Sequence, residues 1–106
     1  MELTGKQKRY LRSLAVNMKP IVQVGKGGVS NEILTSVRHA CDARELIKVQ
    51  ILQNSEVRPD ELSGMIEEMG IDVIQIIGRN LVVFKIAAEK KNRKISEEVK
   101  NLKISI

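Results

Sequence analysis

Two β-branched runs, Ile71 to Ile77 and Leu81 to Ile86, stand on either side of Gly78-Arg79-Asn80. A glycine-bearing turn this short joins neighbouring strands that run in opposite directions. Whatever else the chain builds, it must accommodate one antiparallel hairpin near its C-terminal end. Everything upstream must then supply the rest of a sheet and cover it.

The upstream pattern alternates between helical and strand periods. Thr4 and Gln7 form a capping box for a first helix. Leu11, Leu14, Ala15 and Met18 repeat at helical spacing as its apolar stripe, and Pro20 bounds it. Stepping about 100° per residue, Lys6, Arg9 and Arg12 fall away from that stripe, with Lys8 at its border. Ile21, Val22 and Val24 make a short strand that the run Gly25-Lys26-Gly27-Gly28 ends. Ser30 caps a second helix whose Ile33, Leu34, Val37, Ala40 and Cys41 face the core. From Glu45 to Leu52, Ile47, Val49 and Ile51 alternate with Lys48 and Gln50, a strand pattern. Pro59 suits the first position of a third helix, Asp60 and Glu61 its positive end, and Leu62, Met65, Ile66 and Met69 its buried stripe, with Gly70 as the stop.

The predicted order is therefore α-β-α-β-α-β-β. Two strand-helix-strand units in series imply parallel pairing with right-handed crossovers, and the final hairpin adds an antiparallel pair. The expected fold is a two-layer α+β domain on a four-stranded mixed sheet. One such domain spans residues 1–88. Residues 89–106 form a basic tail in which Ile95, Val99 and Leu102 are spaced for a helix, though a mobile extension fits equally.

Composition narrows the function classes. With 106 residues, of which 42% are hydrophobic and 29% charged, the chain has room for one core and no stretch apolar enough to span a bilayer. The N-terminal residues carry charge with no apolar run behind them, unlike a signal peptide. A single cysteine, Cys41, and a single histidine, His39, fit a reducing, cytoplasmic compartment and are too few for a zinc site within one chain. The net charge of +5 is unevenly spread. Lys6, Lys8, Arg9, Arg12, Lys19 and Lys26 precede Ser30 with only Glu2 against them, whereas Glu56, Asp60, Glu61, Glu67 and Glu68 cluster around the third helix. This segregation predicts one continuous positive face made by the first helix and the glycine loop, with the acidic helix elsewhere.

The glycine loop is the most informative site. Between a strand and a helix, such a turn uncovers backbone N–H groups where the helix dipole favours an anion, and Lys26 adds a full charge. A plain turn requiring positive φ at glycine is the competing structural explanation; the surrounding cations favour phosphate. The loop is not a Walker motif, since Gly27 follows Lys26, and it lacks the third glycine of a dinucleotide fingerprint. No enzyme constellation accompanies it. Cys41 and His39 are two apart on a helix and point in nearly opposite directions, with Cys41 expected in the core and His39 in solvent. Glu67 and Glu68 diverge likewise. Aromatic residues are limited to Tyr10 and Phe84, so no base-stacking platform can be built. RNA contacts would fall on phosphates, 2′-hydroxyls and shape, which favours structured RNA.

The runs LTGKQKRYLRSLAVNMKPIVQVGKGGVS, RELIKVQIL and VIQIIGRNLVVFK resemble the CRM domain, the chloroplast RNA splicing and ribosome maturation domain, including its free-standing bacterial YhbY-like members. The resemblance extends from Leu3 to about Lys85. It implies a fold like the C-terminal domain of bacterial translation initiation factor three, and RNA binding through a GxxG loop, here Gly25, Lys26, Gly27 and Gly28, and a basic first helix, here Lys6, Lys8, Arg9 and Arg12. It also implies association with ribosomal RNA in precursors of the large (50S) subunit. Family members often carry histidine where this chain reads AVNM, and a tyrosine-arginine pair in place of Phe84-Lys85. The expected protein is a monomeric, cytoplasmic RNA-binding module without cofactor, metal or catalytic activity, its partner RNA rather than a membrane. Two alternatives stand beside it: an Alba-like nucleic-acid packaging protein, and a phosphate-ligand enzyme or sensor using the glycine loop.

Overall fold

The computed structural model describes residues 2–104. Its elements are α1 (Gly5–Ala15), β1 (Val22–Val24), α2 (Asn31–Arg44), β2 (Leu46–Ile51), α3 (Pro59–Glu68), β3 (Asp72–Ile77), β4 (Asn80–Phe84), a 3-10 turn (Lys90–Asn92) and α4 (Ile95–Ile104). The first seven follow the predicted order. Among the described residues, no helix is long and apolar enough to cross a membrane.

The strands form one mixed sheet in the order β1-β2-β4-β3. β1 pairs parallel with β2, and β4 pairs antiparallel with both β2 and β3. The first strand-helix-strand unit thus pairs as expected. The second does not, because β4 lies between β2 and β3, so these two share a direction without touching. The hairpin requires only that β3 and β4 be neighbours; β4, buried at four consecutive positions, takes the central slot beside β2, and the half-exposed β3 is left at the edge.

The sheet is covered on both faces, so the domain has three layers rather than the expected two. Val22, Val24, Ile47, Val49, Ile51, Leu81 and Val83 pack against Val37 and Cys41 of α2 and Leu62 and Ile66 of α3. The alternate residues Leu46, Val82 and Phe84, with Ile74, pack against Leu11 and Ala15 of α1 and Val99 of α4. β4 is buried at Leu81, Val82, Val83 and Phe84. A strand apolar at four consecutive positions needs cover on both sides, and α1 and α4 supply the second.

α1 is shorter than its periodicity suggests. It ends at Ala15, where the Met18 N–H donates to the Ala15 carbonyl, and its buried stripe is Gln7, Leu11 and Ala15. Leu14 is left 37% exposed. The capping box forms, with the Gln7 N–H donating to Thr4 Oγ1 at 3.1 Å and the Thr4 N–H to Gln7 Oε1 at 2.8 Å. Gln7 does more than cap. Its Nε2 donates to the Val99 carbonyl at 2.9 Å, buried between α1 and α4. On α3, Met65 is likewise 36% exposed and Ser63 takes the interior position.

The segment beyond Ala88 folds back onto the domain. The last turn of α2 holds it through two carboxylates. Glu45, wholly buried, accepts from the Ala87 N–H at 2.9 Å and from the Ser96 N–H at 3.0 Å. Asp42 accepts from Lys85 Nζ and from the Ala88 N–H. Glu45 also has φ 67°, a conformation that costs a non-glycine residue about 1–3 kcal/mol, sustained here by bonds to its side chain, its carbonyl and its N–H.

Burial raises the Glu45 carboxyl pKa, but the hydrogen bonds from Ser96 and Ala87 outweigh it and hold the group below its ordinary value. A depressed carboxylate stabilises the fold above its unfolded pKa and loses that contribution as pH falls through the folded one. Glu45→Ala should cost about 2–4 kcal/mol, as two buried N–H groups lose an acceptor. Thermal melts should show this at pH 7, and Glu45→Gln should flatten part of the decline in melting temperature that the native protein shows on acidification below the normal glutamate range. A wild-type pH profile in Glu45→Gln would refute the role.

Candidate nucleic-acid interface

The glycine loop sits where β1 leaves the sheet. The Gly28 N–H donates to the Gly25 carbonyl at 3.0 Å, closing a tight turn, and the Leu52 N–H donates to the Val24 carbonyl at 2.8 Å. Of the loop's glycines only Gly28 has positive φ, at 74°. Gly28 is therefore needed for backbone conformation. Gly27 is not: a Cβ there would meet nothing within 4 Å. Its missing side chain leaves the loop open to a close approach from outside. The Ser30 side chain then accepts from the Ile33 N–H at 3.2 Å. The Gly28 and Ile33 N–H groups are thus committed internally, which narrows the cradle expected from the sequence.

A residue that sequence reasoning passed over fixes the neighbouring loop. Arg79, in the hairpin turn, donates from Nε to the Ile51 carbonyl at 3.1 Å and from Nη2 to the carbonyls of Leu52 and Ser55, both at 2.9 Å. Its own carbonyl accepts from the Ile51 N–H. One guanidinium fork thereby holds the start of the β2–α3 connection beside the glycine loop. The signal available was an arginine inside a tight turn, and nothing in a turn motif says which carbonyls it will reach.

Charge is less segregated in space than along the chain. Lys26 is exposed but shares an open cavity of about 440 Å³ with Gly28, Asn54, Glu56, Val57 and Glu61. Lys8 lines another with Glu2, Glu67 and Asp72. Burial raises the Asp72 carboxyl pKa, against the pull of Lys8. α1 lies over one face of the sheet while the glycine loop leads into α2 on the other. The expected single positive face, with the acidic helix elsewhere, is therefore corrected: the acidic α3 region borders both Lys26 and Lys8, because α3 lies along β3 and β4 with Glu61 near one end at the Lys26 cavity and Glu67 near the other at the Lys8 cavity. Lys6, Arg9 and Lys19 are exposed, and Arg12 is half-buried in a small cavity with Val16, Lys48, Gln75 and Ile77.

The nucleophile candidates are settled by burial. Cys41 is fully buried, and burial pushes its thiol pKa up to about 12, so it stays protonated. His39 is exposed, and the two make no dyad. Among the described residues, no three His, Cys, Asp or Glu side chains gather as a metal site requires. Phe84 is core, and Lys85 is paired with Asp42; hydrogen bonding from Lys85 is the main cause that holds the Asp42 carboxyl below its usual value.

This strand-loop-helix arrangement, with a GxxG turn after β1 and cations on α1, falls within residues 3–85, which match the family model described as the CRS1 / YhbY (CRM) domain. The chain belongs to the CRM domain family. A relative from Bacillus subtilis (strain 168), named "Probable RNA-binding protein YqeI", is 44% identical over 90 residues, 84% of this chain and 94% of the relative. A Haemophilus influenzae protein named "RNA-binding protein" is 30% identical over 90 residues, 84% of this chain and 91% of its own length. The solution structure of the hypothetical protein SAV1595 from Staphylococcus aureus superposes with TM-score 0.70 at 41% identity, covering 88% of this chain and 98% of that one. The CRM match stops at residue 85, so the C-terminal segment held by Glu45 lies beyond it.

The two loop glycines should separate in stability. Gly28→Ala should destabilise by about 1–2 kcal/mol, the cost of placing a Cβ in left-handed backbone, while Gly27→Ala should stay within about 0.5 kcal/mol of wild type. Urea unfolding of both variants checks this. Equal losses would mean that the loop's shape, rather than its openness, explains Gly27.

Proposed function

We propose that this CRM-domain protein binds structured RNA, specifically ribosomal RNA in precursors of the large subunit, as a monomer in the cytoplasm and without catalysing a reaction. The observation that carries the reading is the family match over residues 3–85, a span that contains the GxxG loop and the basic α1, together with relatives named as RNA-binding proteins. The proposed contacts are Gly25, Lys26, Gly27 and Gly28 at the loop, and Lys6, Lys8, Arg9, Arg12 and Lys19 on and after α1. Lysine and arginine neutralise phosphates and position the RNA. Gly27 adds close approach, since no side chain stands over the turn.

The cavity beside Lys26 supports RNA over a small phosphate ligand. Glu56 and Glu61 line it, and two carboxylates repel a compact phosphate held inside. A phosphate chain passing outside, across Lys26 and the open Gly27, meets the cation first. The scarcity of aromatics, Tyr10 and Phe84 alone with Phe84 buried, agrees with recognition of backbone and shape.

Crosslinking in cells followed by sequencing of the attached RNA tests the target: reads should concentrate on large-subunit ribosomal RNA, and reads spread evenly over messenger RNA would overturn it. In vitro, about four to six phosphate contacts should give a log–log salt slope of roughly −3 to −5. Lys26→Ala should lower affinity by about 1 kcal/mol or less and make the slope shallower by about one contact. Gly27→Asp should lose more, because it adds a repelling charge where a phosphate would approach. It has room to fold, so unchanged melting with unchanged affinity would remove the loop from the interface.

A further inference from the structure

α1 and α4 cover only part of the sheet face they pack on. Their core reaches Leu46, Ile74, Val82 and Phe84. Beyond it, toward the glycine-loop end, the same face continues uncovered. The register aligns Gln23, Gln50, Asn80 and Ile77 in one row across all four strands. The adjacent row holds Lys48 and Gln75 on either side of Val82, where the covered core begins. All these side chains lie on the α1 side, since their strand neighbours Val22, Val24, Ile47, Val49, Ile51 and Leu81 belong to the opposite core.

Gln75 reaches this face through an irregularity. The β3–β4 register shifts between Val73 and Gln75, so Ile74 and Gln75 together oppose Val82. Such a bulge re-aims a side chain: Ile74 enters the core while Gln75 joins the open surface beside Arg12 and Lys48. The surface carries three glutamines and an asparagine. Gln23 Nε2 donates to Gln50 Oε1 at 3.0 Å, and Asn80 Oδ1 is buried without a hydrogen-bond partner among the described residues. The charged side chains lining the shallow cavity here, Arg12 and Lys48, are both cationic, and the apolar Val16 and Ile77 at its edge are 72% and 55% exposed.

We infer that this open half-sheet docks on the shallow minor groove of an A-form RNA helix, with the amides of Gln23, Gln50 and Gln75 addressing 2′-hydroxyls and base edges while Arg12 and Lys48 meet the flanking phosphates. The inference rests on the RNA-binding reading above and adds what part of the RNA is read. Its ground is chemical complementarity. A flat surface with amides that both donate and accept suits a groove lined by hydroxyls, which also both donate and accept. Two cations and no carboxylate suit its rims. With no aromatic side chain in either row, unstacked bases have nothing to stack on. A protein partner would not require the sugar hydroxyls, and that difference is measurable.

Fluorescence anisotropy with one RNA hairpin duplex, the DNA duplex of the same sequence and the corresponding single-stranded RNA tests it. Wild type should prefer the RNA duplex over DNA by about tenfold, the loss expected when hydrogen bonds to 2′-hydroxyls are removed. Gln50→Ala combined with Gln75→Ala should reduce RNA-duplex affinity about five- to tenfold, leave DNA affinity unchanged and leave the salt slope unchanged. Gln23→Glu, on the exposed edge strand where folding is not at stake, should weaken RNA-duplex binding and keep the native melting temperature. Equal wild-type affinity for the RNA and DNA duplexes would overturn the assignment. So would variants that bind RNA duplex as wild type does, or that lose only single-stranded RNA. Absence of salt-dependent binding to any of the three nucleic acids would instead sink the RNA reading itself, and this inference with it.

Discussion

A single buried carboxylate ties the parts of this domain together. Glu45 ends α2 and precedes β2, its carbonyl accepts from the Lys85 N–H where β4 leaves the sheet, and its side chain holds Ala87 and Ser96. Together with the Asp42 bonds to Lys85 and Ala88, these bonds join the α2–β2 junction to the end of β4 and to the start of α4. Among the described residues no ion pair reaches Glu45. Backbone N–H groups do the work, which suits a buried carboxylate better than exposure to water it cannot reach. The strained φ at the same residue follows from these demands, since a residue must turn sharply there to end one helix, start a strand and aim its side chain backward.

This anchorage decides which sheet surface is available. Because the C-terminal segment is held at the end of the sheet where Glu45 lies, α4 falls next to α1, joined through Gln7 and the Val99 carbonyl. The two helices then close the lower half of one face around Leu46, Ile74 and Phe84 and leave the row from Gln23 to Ile77 open. At that open end lie the glycine loop and the hairpin turn whose Arg79 clamps the β2–α3 connection. The anchored C-terminal segment thus lies at one end of the sheet, and the glycine loop and hairpin turn, both held by the rigid scaffold, lie at the other.

Electrostatically, the molecule is a mosaic. The exposed cations of α1 and Lys26 are bordered by Glu67 and Asp72 on one side and by Glu56 and Glu61 on the other. Beside such acidic borders a polyanion is repelled, so the surface favours anions only along the cations themselves. A uniformly basic surface would bind any polyanion.

The chain's local patterns determined its elements. The hairpin, the Thr4–Gln7 capping box, Pro59 at the start of α3 and the burial of Cys41 follow from spacing and local chemistry, which depend on residues near in sequence. The GxxG loop and the α1 cations were legible for the same reason. What tertiary structure alone decided is which elements become neighbours: β4 between β2 and β3, helices on both faces, Leu14 and Met65 left at the surface, Gln7 and Glu45 drawn inside, acidic side chains brought beside Lys26 and Lys8, and amides from three strands set in one row. Periodicity reports that a residue prefers burial but not against what, since each of these outcomes depends on contacts between segments far apart in the chain, fixed when the sheet chose its strand order and the C-terminal helix found the face that β4, apolar on both sides, still had to hide.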